Sequence, residues 1–363
     1  MIAVFGYAFP HRKTQEFLFE LKLMGLNEVI VFGAPWKELN IPKSSNLITK
    51  KITKTKPYST KEICKSLGYN FYELDHDNYN EIKNIVQIKK IHIGIISGAR
   101  ILKSDIIQLF REGIVNFHPG KIPETSGLDA FYYSIKNNIG IGVTTHFIDS
   151  RVDAGKIIEF NALNVNSKDS IEDILERNFY IQIDALRNFI KLFLTKSIKT
   201  TPIQSYSKNL PMNGNAKKKI LTKYNTWKNN QIIQQHYEQL LTLCALGNMK
   251  NISNILEKRP FFLEYKNQKG WTPLIVACFN HREKVVDYLL SIGANPNVQN
   301  INGTTPLMYA KTKLMNQKKL NTTILDKLIQ SGASPYIKDK TGKSVLDYCK
   351  TDINLKNYFH GKL

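Results

Sequence analysis

Short apolar runs alternate with amphipathic segments along the first half of the chain. Helical spacing of apolar residues predicts helices at Thr14–Met24, Thr60–Leu67 and Asp105–Arg111. Strands that alternate with helices indicate an α/β domain with a largely parallel sheet. In such a sheet, functional residues gather at the carboxyl ends of the strands. The predicted strands are β-branched runs that end in a turn or a polar stretch: Ile2–Phe5, Val29–Phe32, Ile91–Ser97 and Ile114–Phe117.

Two further apolar runs, Gly142–Ile148 and Lys156–Phe160, flank a polar turn that contains two aspartates. A long amphipathic helix is predicted after them, from about residue 170 to about residue 196. The following stretch contains Pro202, Pro211 and Gly214, which favours a strand or hairpin followed by a linker. We therefore expect one domain over residues 1–200 and a connecting region over residues 201–236.

The last third of the chain contains repeated sequences. G-W-T-P-L begins at Gly270 and G-T-T-P-L begins at Gly303, and each precedes an amphipathic segment and a Gly-Ala turn. A partial copy begins at Gly342, and Glu238–Lys266 is a degenerate one. The pattern resembles the ankyrin repeat, whose period is about 33 residues. The Thr-Pro pair would cap and open each first helix. An all-α ankyrin-repeat domain is expected over residues 237–363.

The chain is strongly basic, with 51 Lys and Arg against 30 Asp and Glu and a formal net charge of +21. A nucleic-acid-binding protein would concentrate such charge on one face. Here the lysines are scattered along the chain and do not alternate with aromatic residues, so no nucleic-acid partner is expected. A basic surface would also attract a diphosphate or a polyglutamate tail.

Cysteine usage and hydropathy indicate the compartment. The four cysteines lie far apart, which excludes a disulfide scaffold and a CxxC metal site. The opening M-I-A-V-F-G-Y has too short an apolar run for a signal peptide, and no stretch is long and apolar enough for a membrane span. A cytoplasmic protein without a membrane partner is therefore expected. The cysteines are Cys64, Cys244, Cys278 and Cys349.

The segment N-F-H-P-G at the end of a predicted strand carries the candidate chemistry. Strand alternation places Asn116 and His118 on one side, and the turn at Pro119-Gly120 ends the strand. An amide can donate a hydrogen bond to a developing oxyanion, and an imidazole can accept a proton from a nucleophile. A carboxylate usually orients such a histidine. Of Asp149 and Asp153, the second is preferred because its turn can fold back over the strand ends.

These residues carry a resemblance. An Asn-x-His-Pro strand end, a Thr-x-His and a distal Asp-x-Gly turn resemble the formyltransferase family that uses 10-formyltetrahydrofolate, over Met1–Leu194. The resemblance implies a Rossmann-like domain, a homodimer and a 10-formyltetrahydrofolate donor. A metal site at His118, His146 and Asp153 is not expected, because formyl transfer to an amine needs no metal. It implies catalytic roles for Asn116, His118 and Asp153. His146 is left open between lining the site and a structural hydrogen bond. The expected cofactor contacts are Ser97, Gly98, Ala99, Arg100, Ile101 and Thr145.

Within that family, the opening G-Y-A-F-P-H-R-K-T resembles the sugar-nucleotide branch. The chain lacks the Gly-Ser-rich phosphate loop of the glycinamide ribonucleotide enzymes. Ser126 replaces the arginine that the methionyl-tRNA enzymes carry after their His-Pro-Gly. The resemblance implies a dTDP-linked 3-amino-3,6-dideoxyhexose as the acceptor, in O-antigen or glycan biosynthesis, with dTDP-4-amino-4,6-dideoxyglucose as the alternative. The expected substrate contacts are Tyr7, His11, Arg12, Lys13, Pro119, Gly120, Glu124 and Ser126.

Two other classes of function remain open. One is an ankyrin-type interaction protein with an inactive α/β domain, against which the intact Asn116, His118 and Asp153 count. The other is a formyltetrahydrofolate hydrolase, which would carry a regulatory domain before the first strand. The repeats themselves are expected to bind either a protein or a second nucleotide sugar, the latter through Trp271 and Tyr309.

Overall fold

A computed structural model describes residues 1–37, 58–151, 153–203, 208–315 and 321–362. The chain forms two compact units, Met1–Ile232 and Ile233–Leu363, and the boundary falls inside a helix, Tyr224–Leu246. No helix in these described ranges is long and apolar enough to cross a membrane.

The first unit combines one sheet with surrounding helices. Its strands are β1 (Ile2–Tyr7), β2 (Val29–Ala34), β3 (Asn70–Glu73), β4 (Ile93–Ile96), β5 (Ile114–His118), β6 (Gly142–Phe147), β7 (Lys156–Ala162) and β8 (Thr201–Pro202). Its helices are α1 (Arg12–Leu23), α2 (Thr60–Leu67), α3 (Tyr79–Ile88), α4 (Ser104–Gln108), α5 (Ala130–Lys136), α6 (Ile171–Leu194), α7 (Gly214–Leu221) and α8 (Tyr224–Leu246).

The strand order in the sheet is β3-β2-β1-β4-β5-β6-β7-β8. The pairs from β3 to β5 are parallel, and the pairs from β5 to β8 are antiparallel. The predicted α/β class is confirmed, but the prediction of a largely parallel sheet holds only for its first half. The turn between β6 and β7 is shorter than the dozen or so residues that a parallel crossover needs, so these strands pair antiparallel.

The core lies on both faces of the sheet, as in layered α/β folds. On one face, Phe17 of α1 and Phe189 of α6 pack against Phe117 of β5. On the other face, Ile82 of α3 and Ile106 of α4 belong to a second buried cluster. Strands β1 and β2 are buried almost throughout, which explains their continuous apolar runs.

Several elements were missed by the sequence pattern. The strand β3 lies at the edge of the sheet with both ends exposed, so it lacks a buried apolar run. The helices α3 and α5 were also not predicted. Residues 214–221, expected to be part of a linker, form the helix α7, in which three consecutive lysines obscure the apolar spacing. Residues 204–207 of the expected connecting region lie outside the described residues.

The second unit is helical and has ankyrin geometry. Thr272 and Thr305 cap helices that begin with proline, and their side chains accept hydrogen bonds from the amides of Ile275 and Met308. Both predicted Thr-Pro helix starts are therefore confirmed. After α8, the helices are α9 (Met249–Lys258), a 3-10 turn (Pro260–Leu263), α10 (Pro273–Phe279), α11 (Glu283–Ser291), α12 (Pro306–Thr312), α13 (Thr323–Gln330), α14 (Val345–Tyr348) and α15 (Ile353–His360).

Candidate active site

The end of β5 presents two polar side chains on one face of the sheet. In the antiparallel register, Asn116 lies opposite His146 and His118 lies opposite Thr144. Thr145 lies opposite Phe117 and therefore faces the other side, where its hydroxyl has no hydrogen-bond partner. Of the side chains expected at the site on β5 and β6, the structure thus brings Asn116 and His118 together and separates Thr145 from them.

Asp153 completes this arrangement from the turn between β6 and β7. Its Oδ2 lies 3.2 Å from Nδ1 of His118, and its Oδ1 accepts a hydrogen bond of 3.3 Å from Nδ2 of Asn116. Asp153 has a left-handed backbone, with φ of 49°. Gly155 has φ of 105°, and a Cβ there would lie 2.1 Å from the carbonyl oxygen of Phe147. Only glycine can occupy position 155, and the bend there folds the turn back over the end of β5.

The charge of Asp153 is stabilised inside the protein. Burial by itself raises the pKa of this carboxyl, but the hydrogen bond and charge of His118 and the amide of Gly127 outweigh it. Together they lower the pKa from 3.8 to about 2. The Gly127 amide donates to Oδ2 at 2.7 Å, and the Ser126 hydroxyl donates to the backbone oxygen of Asp153 at 3.1 Å. Asp153 is therefore an anion held by two adjacent residues of one loop.

His118 is buried and held at both ring nitrogens. Nδ1 faces the Asp153 carboxylate, and Nε2 lies 2.9 Å from the carbonyl oxygen of Thr125. Both partners are acceptors, so only the imidazolium form can donate to the two of them at once. To accept a proton at Nε2, the ring must be neutral with its proton on Nδ1, and Nε2 must leave the Thr125 carbonyl.

His146 determines which way the Asn116 amide points. Its Nδ1 lies 2.9 Å from the carbonyl oxygen of Ala154, which can only accept, so Nδ1 carries the proton. Burial lowers the pKa of His146 to about 4, so the ring is neutral and Nε2 is an acceptor. Nδ2 of Asn116 lies 3.3 Å from that Nε2 and 3.3 Å from Asp153, both acceptors, so the amide nitrogen must face them. Both bonds are long, so one N–H can turn to a new acceptor at low cost.

The loop after β5 is tied to the site by short contacts. The Thr144 hydroxyl donates to the carbonyl of Gly120 at 2.7 Å and accepts from the amide of Ile122 at 3.1 Å. A Cβ at Gly120 would lie 2.8 Å from Nε2 of His118, so glycine leaves that nitrogen room. Pro119 is exposed. Glu124 pairs with Lys121 at 2.7 Å and keeps one buried carboxylate oxygen without a partner.

The segment expected to contact the cofactor follows β4, which pairs with β5. The Ser97 hydroxyl donates to the carbonyl of Phe5 and to the hydroxyl of Thr14, so its side chain joins β1 to α1. The Arg100 side chain pairs with Asp75. Gly98 packs against Tyr7 and His11, Ala99 is partly buried, and Ile101 is exposed. Because the polar side chains are occupied within the protein, contacts to a ligand here would come from peptide groups.

The charged residues of the first loop also have protein partners. The His11 ring caps α1 through Thr14, at 2.8 Å from its hydroxyl. Both guanidinium nitrogens Nη1 and Nη2 of Arg12 donate to Glu176, at 2.8 Å and 2.6 Å. Nζ of Lys13 donates to the carbonyl of Phe117 at 3.0 Å, and burial lowers the pKa of this amine to about 7. Lys13 thus contacts the backbone of β5 near its carboxyl end.

An aromatic group lies beside this loop. Tyr7 stacks on Phe9 with ring centroids 4.7 Å apart, and Phe9 meets Trp36 edge-on at 5.4 Å. Trp36 is 75% exposed. In the ankyrin unit, a separate group joins the two residues expected there, because Trp271 and Tyr309 have ring centroids 5.3 Å apart and both contact Phe279.

Three contributors to the site were missed by the sequence. Gly127 holds Asp153 through its amide, Thr125 holds His118 through its carbonyl, and Thr144 holds the loop. Two of these act through the backbone, which no side-chain motif reveals. The Thr-x-His pattern at residues 144–146 was the available signal for Thr144.

Residues 48–185 match the family model of formyl transferases, and residues 213–339 match that of ankyrin repeats in three copies. The chain carries a formyltransferase domain followed by ankyrin repeats. The chain is 26% identical over 98 residues to the phosphoribosylglycinamide formyltransferase of Bacillus subtilis, covering 26% of this chain and 50% of that relative. It is 24% identical over 146 residues to the formyltetrahydrofolate deformylase of Synechocystis, covering 38% of this chain and 51% of that relative.

The chain thus spans about half the length of these curated relatives. Among solved structures, it is similar to a sugar N-formyltransferase from Shewanella, with 16% identity and a TM-score of 0.42. That match covers 58% of this chain and 76% of the other. The predicted formyltransferase-type domain and ankyrin repeats are confirmed at the level of domains.

Proposed function

We propose that this protein is an N-formyltransferase that moves a formyl group from 10-formyltetrahydrofolate to the amino group of a nucleotide-linked sugar. One observation carries the proposal: Asn116 and His118 lie on one face of a strand end and both contact the carboxylate of Asp153. An amide donor, an imidazole and a carboxylate in contact are the groups that acyl transfer to an amine requires.

In the proposed reaction, the neutral amine of the acceptor attacks the formyl carbon. One N–H of Asn116 turns from its long internal contact to the formyl oxygen, where negative charge develops. Neutral His118, released from the Thr125 carbonyl, accepts the amine proton at Nε2. Asp153 holds Nδ1 and stabilises the imidazolium that results. The imidazolium then returns the proton to the carrier nitrogen as the bond between that nitrogen and the formyl carbon breaks, and tetrahydrofolate leaves. The backbone of Gly127 keeps the carboxylate in place throughout.

The donor supplies an activated formyl group on a pterin carrier. The residues we propose to hold it are 97–101, whose peptide groups lie at the carboxyl end of β4 beside Asn116. Because their polar side chains are already paired within the protein, we propose that their peptide groups form the hydrogen bonds to the flat pterin ring. Thr145 was expected to contribute as well, but it faces the opposite side of the sheet.

For the acceptor, the first loop offers an aromatic surface and the start of a helix. Trp36 and Phe9 present rings on which a nucleobase can stack. His11 and Lys13 lie at the start of α1, where the helix dipole favours an anion such as a diphosphate. Arg12 is already paired with Glu176, so we assign it to holding α1 against α6. Gly120, Pro119, Glu124 and Ser126 border the same strand end.

We expect the preferred acceptor to be a dTDP-linked 3-amino-3,6-dideoxyhexose, rather than the 4-amino isomer. Steady-state kinetics with 10-formyltetrahydrofolate and each dTDP sugar would measure kcat/KM for both. A higher kcat/KM for the 4-amino sugar would reverse this order. A third reaction without acceptor is the control, because formate release there would indicate a hydrolase, and no turnover with any acceptor would favour an interaction protein.

We further propose a homodimer in the cytoplasm.

The ankyrin aromatic group supports a second candidate role, the binding of another nucleotide sugar. Trp271, Phe279 and Tyr309 contact one another, Phe279 is 44% exposed, and the Asn300 amide donates to the Tyr309 hydroxyl at 2.9 Å. A stacked base typically contributes about 1–3 kcal/mol. Calorimetric titration of dTDP-sugar into the full chain should therefore show two sites per protomer, and Trp271→Ala should retain one. Equal stoichiometry of one in both proteins would assign the repeats to protein binding.

A further inference from the structure

The segment of residues 208–217, expected to be part of a linker, is bound to the loop that follows the catalytic strand. The amide of Asn209 donates to the carbonyl of Ser126 at 3.0 Å, and its side-chain amide donates to the carbonyl of Glu124 at 3.1 Å. Asn209 also forms a β-bridge with Gly127. A Cβ at Gly127 would lie 2.7 Å from the carbonyl oxygen of Asn209, so the two backbones are in close contact.

A buried ion pair fastens the far end of that segment. Nζ of Lys217 lies 2.6 Å from Oδ1 of Asp129, and the Lys217 side chain is only 3% exposed. The other carboxylate oxygen accepts the amide of Met212 at 2.8 Å. Asp129 has a left-handed backbone with φ of 64°, a conformation that aspartate adopts more readily than most residues other than glycine. Both oxygens of its carboxylate have partners in residues 208–217.

The loop held in this way contacts two members of the catalytic group, by which we mean the proposed catalytic side chains of Asn116, His118 and Asp153. The amide of Gly127 donates to the carboxylate of Asp153, and the carbonyl of Thr125 lies against Nε2 of His118. Lys217 contacts Asp129 directly, and Gly127 contacts Asp153 directly. Between these two contacts lies only the short stretch of chain from Gly127 to Asp129.

We propose that Asp129 and Lys217 are positioning residues, which hold the Gly127 amide on Asp153 and so set the geometry of the catalytic group. The proposal rests on the proposed formyl transfer. A buried ion pair is a costly way to stabilise a fold, because apolar residues of similar size often do as well. A geometric requirement at the site accounts for its presence next to the loop that contacts Asp153.

The test is Lys217→Met, with Lys218→Met as the matched control. Lys218 is the next residue of the same helix and is exposed. A misplacement of about 1 Å can cost about a hundredfold in rate. We expect Lys217→Met to lower kcat at least about tenfold with KM for both substrates little changed, and Lys217→Arg to recover most of the loss. Lys218→Met should match the wild type.

Two readouts separate positioning from general destabilisation. In Lys217→Met, the hydrogen exchange of the Gly127 amide should accelerate, while amides of β1 and β2 keep their protection. The pKa of the Asp153 carboxyl, followed by NMR, should rise, because the variant loses the Gly127 hydrogen bond that helps to lower it. Lys218→Met should change neither quantity.

If Lys217→Met fails to fold, Asp129→Asn combined with Lys217→Met removes both charges, and the same losses are expected of the double variant. Wild-type kcat and wild-type Gly127 exchange in the folded variant would overturn the proposal, as would an equal loss in Lys218→Met. Absence of transfer by the wild-type protein would instead contradict the proposed function, and Gly127 exchange would still decide whether Lys217 holds the loop.

Discussion

Asn116→Ala is expected to lower kcat for formyl transfer about a hundred- to a thousandfold, the usual cost of losing one oxyanion donor. His118→Ala should lose at least as much, because it removes the imidazole that we propose to accept the amine proton. KM for the acceptor should change little in both variants, since neither side chain is proposed to bind the nucleotide. Steady-state kinetics of the purified full chain measure both quantities.

The matched controls for these variants are exposed residues of the same types, Asn137→Ala and His360→Ala, which should retain wild-type turnover. Thermal-shift measurements with the sugar nucleotide should show that the two site variants still bind it. Turnover near the wild-type value in either Asn116→Ala or His118→Ala would rule out the role assigned to that residue.

Asp153→Asn should lower kcat by about three to four orders of magnitude, as replacing the carboxylate beside a catalytic histidine does elsewhere. The amide can still accept from Gly127, but it no longer provides the charge that stabilises the His118 imidazolium. Asp149→Asn is the control, because Asp149 lies in the same turn and pairs with Arg151 at the surface. A loss of equal size in Asp149→Asn would show that the turn, rather than the carboxylate of Asp153, is required.

The same carboxylate makes stability depend on pH. Its pKa is lowered on folding from 3.8 to about 2. Because the carboxyl has a lower pKa in the folded protein, its ionisation adds to the free energy of unfolding. This contribution is fully present above the pKa of the unfolded chain and is lost as the pH falls toward about 2. The difference corresponds to about 2 kcal/mol. Urea unfolding of the wild type at pH values between these limits should show this decline, and Asp153→Asn should show a smaller one.

The positions of most secondary structure elements follow from local sequence. The apolar runs of β1, β2, β4 and β5 predict buried strands because those strands are covered on both faces. The ankyrin repeats are equally local, since Thr272-Pro273 and Thr305-Pro306 specify helix starts within a few residues. The pairing of Asn116 with His118 needs only the two-residue period of a strand.

Side-chain direction and pairing across the chain depended on the tertiary structure. Thr145 was expected to contact the cofactor. It lies opposite Phe117, so its side chain is on the face of the sheet away from Asn116 and His118. Arg12 was expected to meet a diphosphate, yet Glu176, far away in sequence, occupies its guanidinium. A single sequence does not contain the register between antiparallel strands or the approach of two distant helices.

The contacts that complete the catalytic group are likewise decided by tertiary structure. Asp153 was chosen over Asp149 from the sequence because its turn could fold back, and the left-handed backbone of Asp153 with Gly155 provides that return. No sequence motif indicated the hydrogen bond from the Gly127 amide or the buried ion pair between Asp129 and Lys217. Hydrogen bonds to the backbone and ion pairs between distant segments depend on where the chain runs in space, whereas strands, helices and caps depend on neighbours within a few residues.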